Sequence, residues 1–297
     1  MTRLFPAASG SIRTVLDTLR TVEVDHRENR AVVGGRLLRA ADPAALRARL
    51  ATALYDHLHA GESESEAELP GFRDRLAAAV PHRLTRMRGR VRSADVVEVD
   101  GVRVRVPAGA AAVGARTTFD IDCRRPHLAP GFFLVDGSPG HGLTSGDHTL
   151  RLYLHLVAPD TATAAWHEVL VLLEDLGVPY RAKVGLHLPR RDALVLYLGR
   201  DAWPAAPEIV KGLSGIRGLG AAVSAYAHRV ADGVAAAWDP ADSRPGHRGL
   251  SFGEHRSRVI ADALLAPGVR EDELARSFAA GNVDAARIFR NTTSPNL

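Results

Sequence analysis

The chain has 297 residues, 46% of them hydrophobic, a net charge of +4 and a single cysteine, Cys123. That much apolar material builds a large core in one domain or two, while one thiol excludes an internal disulfide and any thiolate zinc cluster and fits a reducing compartment. No apolar run approaches the ~20 residues of a membrane helix, and the N-terminus lacks the basic and apolar segments of a secretory signal, so a cytoplasmic protein without membrane contact is expected.

Residues 11–60 read as helical. Ser11 is a candidate cap for a helix over 12–19, and the alanine- and leucine-rich run from Pro43 to Tyr55 has proline in its first turn, as a helix start does. An acidic loop over 62–68 precedes a further helix over 71–80. Beyond Arg88 the apolar period changes to two. Val91, Val97, Val99, Val102, Val104 and Val106 alternate with polar residues around an Asp100-Gly101 turn, a hairpin signal. Residues 117–122 and 131–135 read as strands. The loop 136–146 holds four glycines and a proline and is expected to be mobile.

The most regular block spans 149–199. Leu150, Leu152, Leu154 and Leu156 face one way, and Arg151, Tyr153 and His155 face the other. A helix runs from Pro159 through Leu176, with Trp166, Val169, Leu170 and Leu173 on its buried side and Gly177 as its stop. In the strand over 180–188, Arg181 and Lys183 point away from Tyr180, Ala182 and Val184, and 192–198 forms a third strand. After Gly199 the chain reads as helical and loop-rich: a helix at 207–211, a glycine-rich stretch at 212–220, an alanine-rich helix over 221–237, a loop over 239–249, then helices from Ser251 to Leu265 and over 271–279. The whole is expected to be one α+β domain over 1–297. A helical N-terminal lobe (1–85) leads into a catalytic part (86–297) with a central, mostly antiparallel sheet, a β-α-β-β unit and a helical C-terminal portion.

Candidate chemistry lies on the polar sheet face. Arg151, Tyr153, His155 and Lys183 share it, and alternation alone would read such a row as solvent-exposed. Two features argue otherwise. Of 38 basic residues only Lys183 and Lys211 are lysines, so a retained lysine points to something guanidinium cannot do, which is to lose its proton near neutral pH. Further arginines follow at Arg190, Arg191, Arg256 and Arg258. Arginine forks recognise phosphate, and surrounding cations favour the neutral amine of a nearby lysine. The thirteen histidines show neither HExxH nor other ligand spacing, so no metal is expected. The positive charge is dispersed and aromatic residues are few, which argues against nucleic acid and leaves an anionic ligand.

The run Arg151-Leu-Tyr-Leu-His-Leu, then Val178-Pro-Tyr-Arg-Ala-Lys-Val184 and Arg190-Arg-Asp-Ala-Leu-Val-Leu-Tyr197, resembles the central sheet of the HopA family of bacterial type III effectors. Leu54-Tyr55, Pro130-Gly-Phe-Phe133, Ser251-Phe-Gly-Glu-His-Arg256 and the closing segment from Phe278 to Asn291 match in the same order, and the resemblance covers nearly the whole chain. Members of the family outside pathogens resemble phosphothreonine lyases of actinobacterial thioamitide and class V lanthipeptide pathways. The resemblance therefore implies a cofactor-free lyase that removes phosphate from phosphoserine or phosphothreonine of a ribosomal precursor peptide, giving dehydroalanine or dehydrobutyrine. A separate kinase and a cyclase are its implied partners.

Within that reading Lys183 is the base, and Arg151, Arg190 and Arg256 clamp the phosphate, with Arg191 a further candidate. Lys211 falls where the family also tends to have a lysine and is an alternative amine. Phosphothreonine lyases carry a Lys-x-His pair on the strand before the base lysine, whereas this chain has Arg151 and Tyr153 there and His155 one alternation on. Family members with Asn at the position of His155 favour Tyr153, but the acid stays open between the two. Tyr197 and Asp192 match the family and also suit packing and turn-capping roles. His255, at a helix start, suits a structural hydrogen bond, and Cys123 lies in an arginine-rich turn that favours a lowered thiol pKa, although a lone thiol without a matched histidine is usually passive. Two other readings compete: a non-catalytic partner that binds the leader peptide or kinase, with a sheet edge for strand addition, and an effector acting on host proteins. The loop 136–146 is a candidate lid over bound peptide.

Overall fold

A computed structural model describes residues 16–61, 69–99, 101–106 and 112–296. The expected Ser11 cap, the acidic loop at 62–68 and Asp100 of the hairpin turn lie outside these residues. The N-terminal region is not all helix. Strands β1 (Glu23–Asp25), β2 (Arg30–Val33) and β3 (Arg36–Arg39) form an antiparallel meander. Gly34 and Gly35 both take positive φ (56° and 80°) between β2 and β3, as a two-residue hairpin turn of the primed type requires. Helix α1 (Pro43–Leu54) starts where expected, with the Asp42 side chain accepting from the Ala45 N–H at 2.8 Å. It continues through Tyr55–Ala60 as a π-helix.

After α2 (Phe72–Ala78) come β4 (Leu84–Ser93), β5 (Val96–Val99), β6 (Val102–Arg105) and β7 (Arg116–Asp122), a separate four-stranded sheet in the order β6-β5-β4-β7. Its inner side buries Met87, Val91, Val97 and Val99, and its outer side is polar. The central sheet has seven strands. They are β8 (Arg124–Arg125), β9 (Phe132–Asp136), β10 (Leu150–Leu156), β11 (Arg181–Gly185), β12 (Arg190–Leu198), β13 (His228–Ala231) and β14 (Val234–Trp238). Their order is β13-β14-β10-β12-β11-β9-β8, and every neighbouring pair is antiparallel. Helix α3 (Pro159–Asp175) covers the leucine face of β10, burying Ala162, Ala165, Trp166, Val169, Leu170 and Leu173. Helix α4 (Ala206–Leu213) joins it on that side.

The alanine-rich segment 221–237, expected as a helix, is instead the β13–β14 hairpin. Asp232 and Gly233 turn it, with Gly233 at φ 67°. Ala235, Ala236 and Ala237 are fully enclosed in β14. Small side chains suit a strand covered on both faces, and that burial overrides the helix preference of alanine.

Helices α5 (Phe252–Leu264) and α6 (Arg270–Ala280) complete the fold. With α1 they cover the second face of the central sheet, so Tyr153, Val195 and Ala237 join a core with Leu50, Leu54, Leu58, Phe252 and Ile260. The polar face that alternation alone reads as solvent-exposed is therefore an interior one. Ser251 caps α5 in a reciprocal box with Glu254. Just inside, Asp242 accepts from His255 Nε2 (2.9 Å) and His255 Nδ1 accepts from Arg256 Nη1 (2.6 Å). Arg256 in turn donates to the carbonyls of Ile288 (2.7 Å) and Arg290 (3.3 Å), lacing the C-terminal segment to α5.

This chain requires a neutral His255, since Nδ1 must keep its lone pair. Burial, reinforced by the Arg256 charge, lowers its pKa from 6.5 to about 4. A pKa lower in the folded than in the unfolded state gives stability that is complete above 6.5 and lost as pH falls toward about 4. The urea midpoint should therefore drop across that window, and in His255→Gln, less stable at neutral pH, the drop should be shallower. Ser251→Ala should cost about 1 kcal/mol in the same titration at pH 7.

Candidate functional site

The π-helical end of α1 shapes the site. Its wider i→i+5 turn ends with the Gly61 N–H on the Asp56 carbonyl and sets Tyr55 and His59 against β12. A cleft of about 470 Å³ opens beside it, walled by α1, the turn before β9, the segment joining β11 to β12, and α5. Phe132, Gly185, His187, Arg190 and Arg258 line it, with Tyr55.

Arg190 is braced from behind. Its Nε and Nη2 donate to both carboxylate oxygens of Asp192 (2.8 and 3.1 Å), and Nη2 also reaches the Tyr55 hydroxyl at 2.9 Å. That hydroxyl donates to Asp192 at 2.7 Å. Burial works to raise the Asp192 pKa, but the positive neighbours and these hydrogen bonds hold the carboxyl well below its usual range. Nη1 of Arg190 keeps no acceptor among the described residues.

His59 closes the bracing. Its Nδ1 meets the Ser224 hydroxyl at 2.7 Å and its Nε2 lies 3.7 Å from Asp192. The sequence of serine, histidine and aspartate invites comparison with a nucleophilic triad, but Ser224, His59 and Asp192 are 1%, 2% and 4% exposed. No substrate reaches that serine. Aromatic rings of Tyr153, Tyr226 and Phe252 surround His59. Burial lowers its pKa to about 4, with Arg190, Arg151 and Lys183 acting in the same direction against Asp192.

Lys183 sits on β11 in register with Val195 of β12, which in turn faces Tyr153 of β10. Its amine lies 3.9 Å from the centre of the Phe132 ring and 5.9 Å from that of Tyr197. It makes no hydrogen bond or ion pair among the described residues. Phe132 and Gly185 are cleft walls, so Lys183 stands at the cleft's side. The Arg151 guanidinium stacks on the other aromatic, Tyr197, at 4.8 Å and pairs with Asp239. Burial raises the Tyr153 pKa against the pull of Arg151, so the phenol keeps its proton; its hydroxyl finds no acceptor.

The structure thus groups Lys183, Arg151, Tyr153 and Tyr197 on the interior sheet face, and of the sequence candidates it sets Arg190 in the cleft wall with Lys183 beside it. It does not bring the remaining candidates to the cleft. His155 lies past a bulge in β10, its Nδ1 enclosed without a partner; burial and then Arg191 lower its pKa. Arg191 is tied to the His57 carbonyl at 3.1 Å. Lys211 is exposed on α4, which packs on the opposite face of the sheet. His255 and Arg256 belong to the buried chain that fastens the C-terminal segment. Burial raises the Cys123 pKa to about 11, outweighing the lowering by Arg124 and Arg125, which suits a passive thiol. The loop 136–146 is pinned by Ser138 on Glu174 and by the Tyr180 N–H on the Gly140 carbonyl, and it walls a second cleft.

Sequence reasoning passed over His187, whose Nδ1 is buried without a partner, and gave Arg258 no role. Helical period separates the two arginines of α5. Phe252, Arg256, Val259, Ile260 and Ala263 form the buried stripe, while Glu254 and Arg258 share the cleft side. No group of three or more His, Cys, Asp or Glu side chains among the described residues is placed to hold a metal.

Two solved structures resemble this one. An effector protein from Pseudomonas syringae pv. tomato strain DC3000 is 17% identical, with 86% of this chain and 91% of that chain covered and a TM-score of 0.49. An effector protein from Pseudomonas syringae pv. syringae strain 61 is also 17% identical, with 81% and 89% covered and a TM-score of 0.48. A search of curated proteins gave no match. Residues 123–290, beginning just after β7, match the model of the HopA1 effector protein family. That span is more than half of the chain and holds Lys183 and its neighbours; the chain belongs to the HopA1 effector protein family.

Proposed function

We propose that the chain is a cofactor-free lyase acting on phosphoserine or phosphothreonine in a ribosomal precursor peptide, within lanthipeptide or thioamitide maturation. The observation that carries the reading is Lys183: one of two lysines among 38 basic residues, with no acidic partner, at the side of a cleft lined by Arg190 and Arg258. In this reading Lys183, as the free amine, takes the Cα proton. The C–H electron pair becomes the Cα=Cβ bond, the Cβ–O bond breaks, and phosphate leaves with that bond's electrons. Nη1 of Arg190 and the guanidinium of Arg258 receive the phosphate oxygens. His187, in the cleft wall, supplies the proton to the leaving oxygen in place of the buried Tyr153 or His155. The kinase that makes the substrate and the cyclase that uses the product are partners in the proposal.

One observation favours a non-catalytic role in binding the leader peptide or kinase. The amine of Lys183 rests on Phe132 beside the cleft rather than in its wall. Mass spectrometry of a phosphoserine or phosphothreonine peptide incubated with the protein separates the two. A lyase releases phosphoric acid from the peptide, and Lys183→Ala should slow this by on the order of 100- to 10,000-fold without loss of peptide binding. No release by the wild type, even on phosphorylated precursor with its kinase present, would favour the binding role. For a lyase, Arg190→Met with Arg258→Met should raise KM about tenfold or more for phosphopeptide while leaving binding of the unphosphorylated peptide unchanged.

A further inference from the structure

The second cleft, about 980 Å³, lies between the four-stranded sheet and the loop 136–146. Arg86, Arg88 and Arg90 of β4 and Arg116 of β7 line it, all exposed, with Thr118, Thr144 and a single acid, Asp201. Strand alternation puts the three β4 arginines on one side of the sheet. Arg90 and Arg116 stand directly opposite each other across β4 and β7, an arrangement of like charges that destabilises a sheet unless an anion intervenes. The carboxylate opposite Arg90 on the other flank is Glu98, which is already held by Arg92 through two bonds of 3.0 and 2.8 Å. Arg86 has a loose partner in Asp120 at 3.6 Å. Arg88, Arg90 and Arg116 make no hydrogen bond or ion pair among the described residues.

We infer that this cleft binds an acidic, extended peptide segment. Three unpaired guanidinium groups supply forked donors for carboxylates. Leu143 and Pro179 give the cleft apolar walls. β7 is an edge strand that lines the cleft through Arg116–Thr118, so its outer backbone groups are available to an added strand. Among the described residues the lining contains no phenylalanine, tyrosine or tryptophan, so it offers none of the stacking platforms that single-stranded nucleic acid uses.

The two clefts lie at opposite ends of β11. Pro179 lines the second and Gly185 the first, which puts them about 20 Å apart at ~3.3 Å per residue of strand. An acidic segment held in the second cleft therefore places a residue at least about six positions away in the first. This coupling rests on the proposed lyase reading; the binding itself does not.

Fluorescence anisotropy with a fluorescein-labelled peptide of alternating Glu and Ser tests the binding. The wild-type chain should bind it saturably, with affinity falling as salt rises. The triple variant Arg88→Glu, Arg90→Glu, Arg116→Glu should bind on the order of 100-fold more weakly. Arg103→Glu with Arg105→Glu, on β6 of the same sheet but outside the cleft, should bind as the wild type does. If the triple variant fails to fold by circular dichroism, the corresponding glutamine variants provide the same comparison. Absence of saturable binding, equal losses in both variants, or tighter binding of an oligothymidylate would each overturn the inference. Phosphate release from a short phosphopeptide lacking an acidic segment should be equal in wild type and triple variant, whereas extending the phosphopeptide by that segment should lower KM only with the wild type. Acidic-peptide binding without any phosphate release would sink the lyase reading and leave the inference standing.

Discussion

Burial of the central sheet on both faces is the constraint from which the rest of the structure follows. An antiparallel sheet commonly leaves one face to water. Here α3 covers one face, and α1 with α5 covers the other. Charged and phenolic groups on the second face therefore have to find partners inside the protein, because an unpaired buried charge is expensive. Arg151 pairs with Asp239 and stacks on the Tyr197 ring, although its Nε is buried without a partner, and Asp192 is held by Arg190 and Tyr55. These pairings hold each cation in one place. Preorganisation of charge beside a cleft is what electrostatic catalysis or anion recognition needs, and burial of the sheet supplies it.

Much of this architecture was legible in the residues. The leucine alternation of β10, the apolar stripe of α3 and the helix start at Ser251 all appear where expected. The misreadings have a common cause. In the segments 22–39 and 221–237, residues of good helical propensity outweighed a Gly-Gly and an Asp-Gly turn, each of which dictates a hairpin. Alanine in β14 reports how little space the two covering layers leave, and that is a property of the assembled fold.

The site was legible to a similar depth. Strand alternation put Arg151, Tyr153 and Lys183 on one face, and they are there. Alternation does not reveal what covers a face, so Tyr55 and His59, which arrive from about 130 residues away, could not be paired with Asp192 beforehand. Arg256 and Arg258 differ only by helical phase, and applying the period to α5 would have separated the buried arginine from the one at the cleft. His187 follows β11 in an irregular turn, where periodicity carries no information.

The π-helical end of α1 has a consequence for how this chain tolerates length changes. Six residues, Tyr55–Ala60, occupy the wider turn. Tightening the segment into an ordinary α-helix without losing a residue would rotate everything beyond it by about 100° about the axis. His59 would swing away from Asp192 and Ser224 while α1 itself remained helical. Insertions and deletions are usually absorbed by loops, but here the register that matters is stored inside a helix. Homologous chains sharing the bracing of Arg190 should therefore either keep both the wider turn and its extra residue or lose the two together.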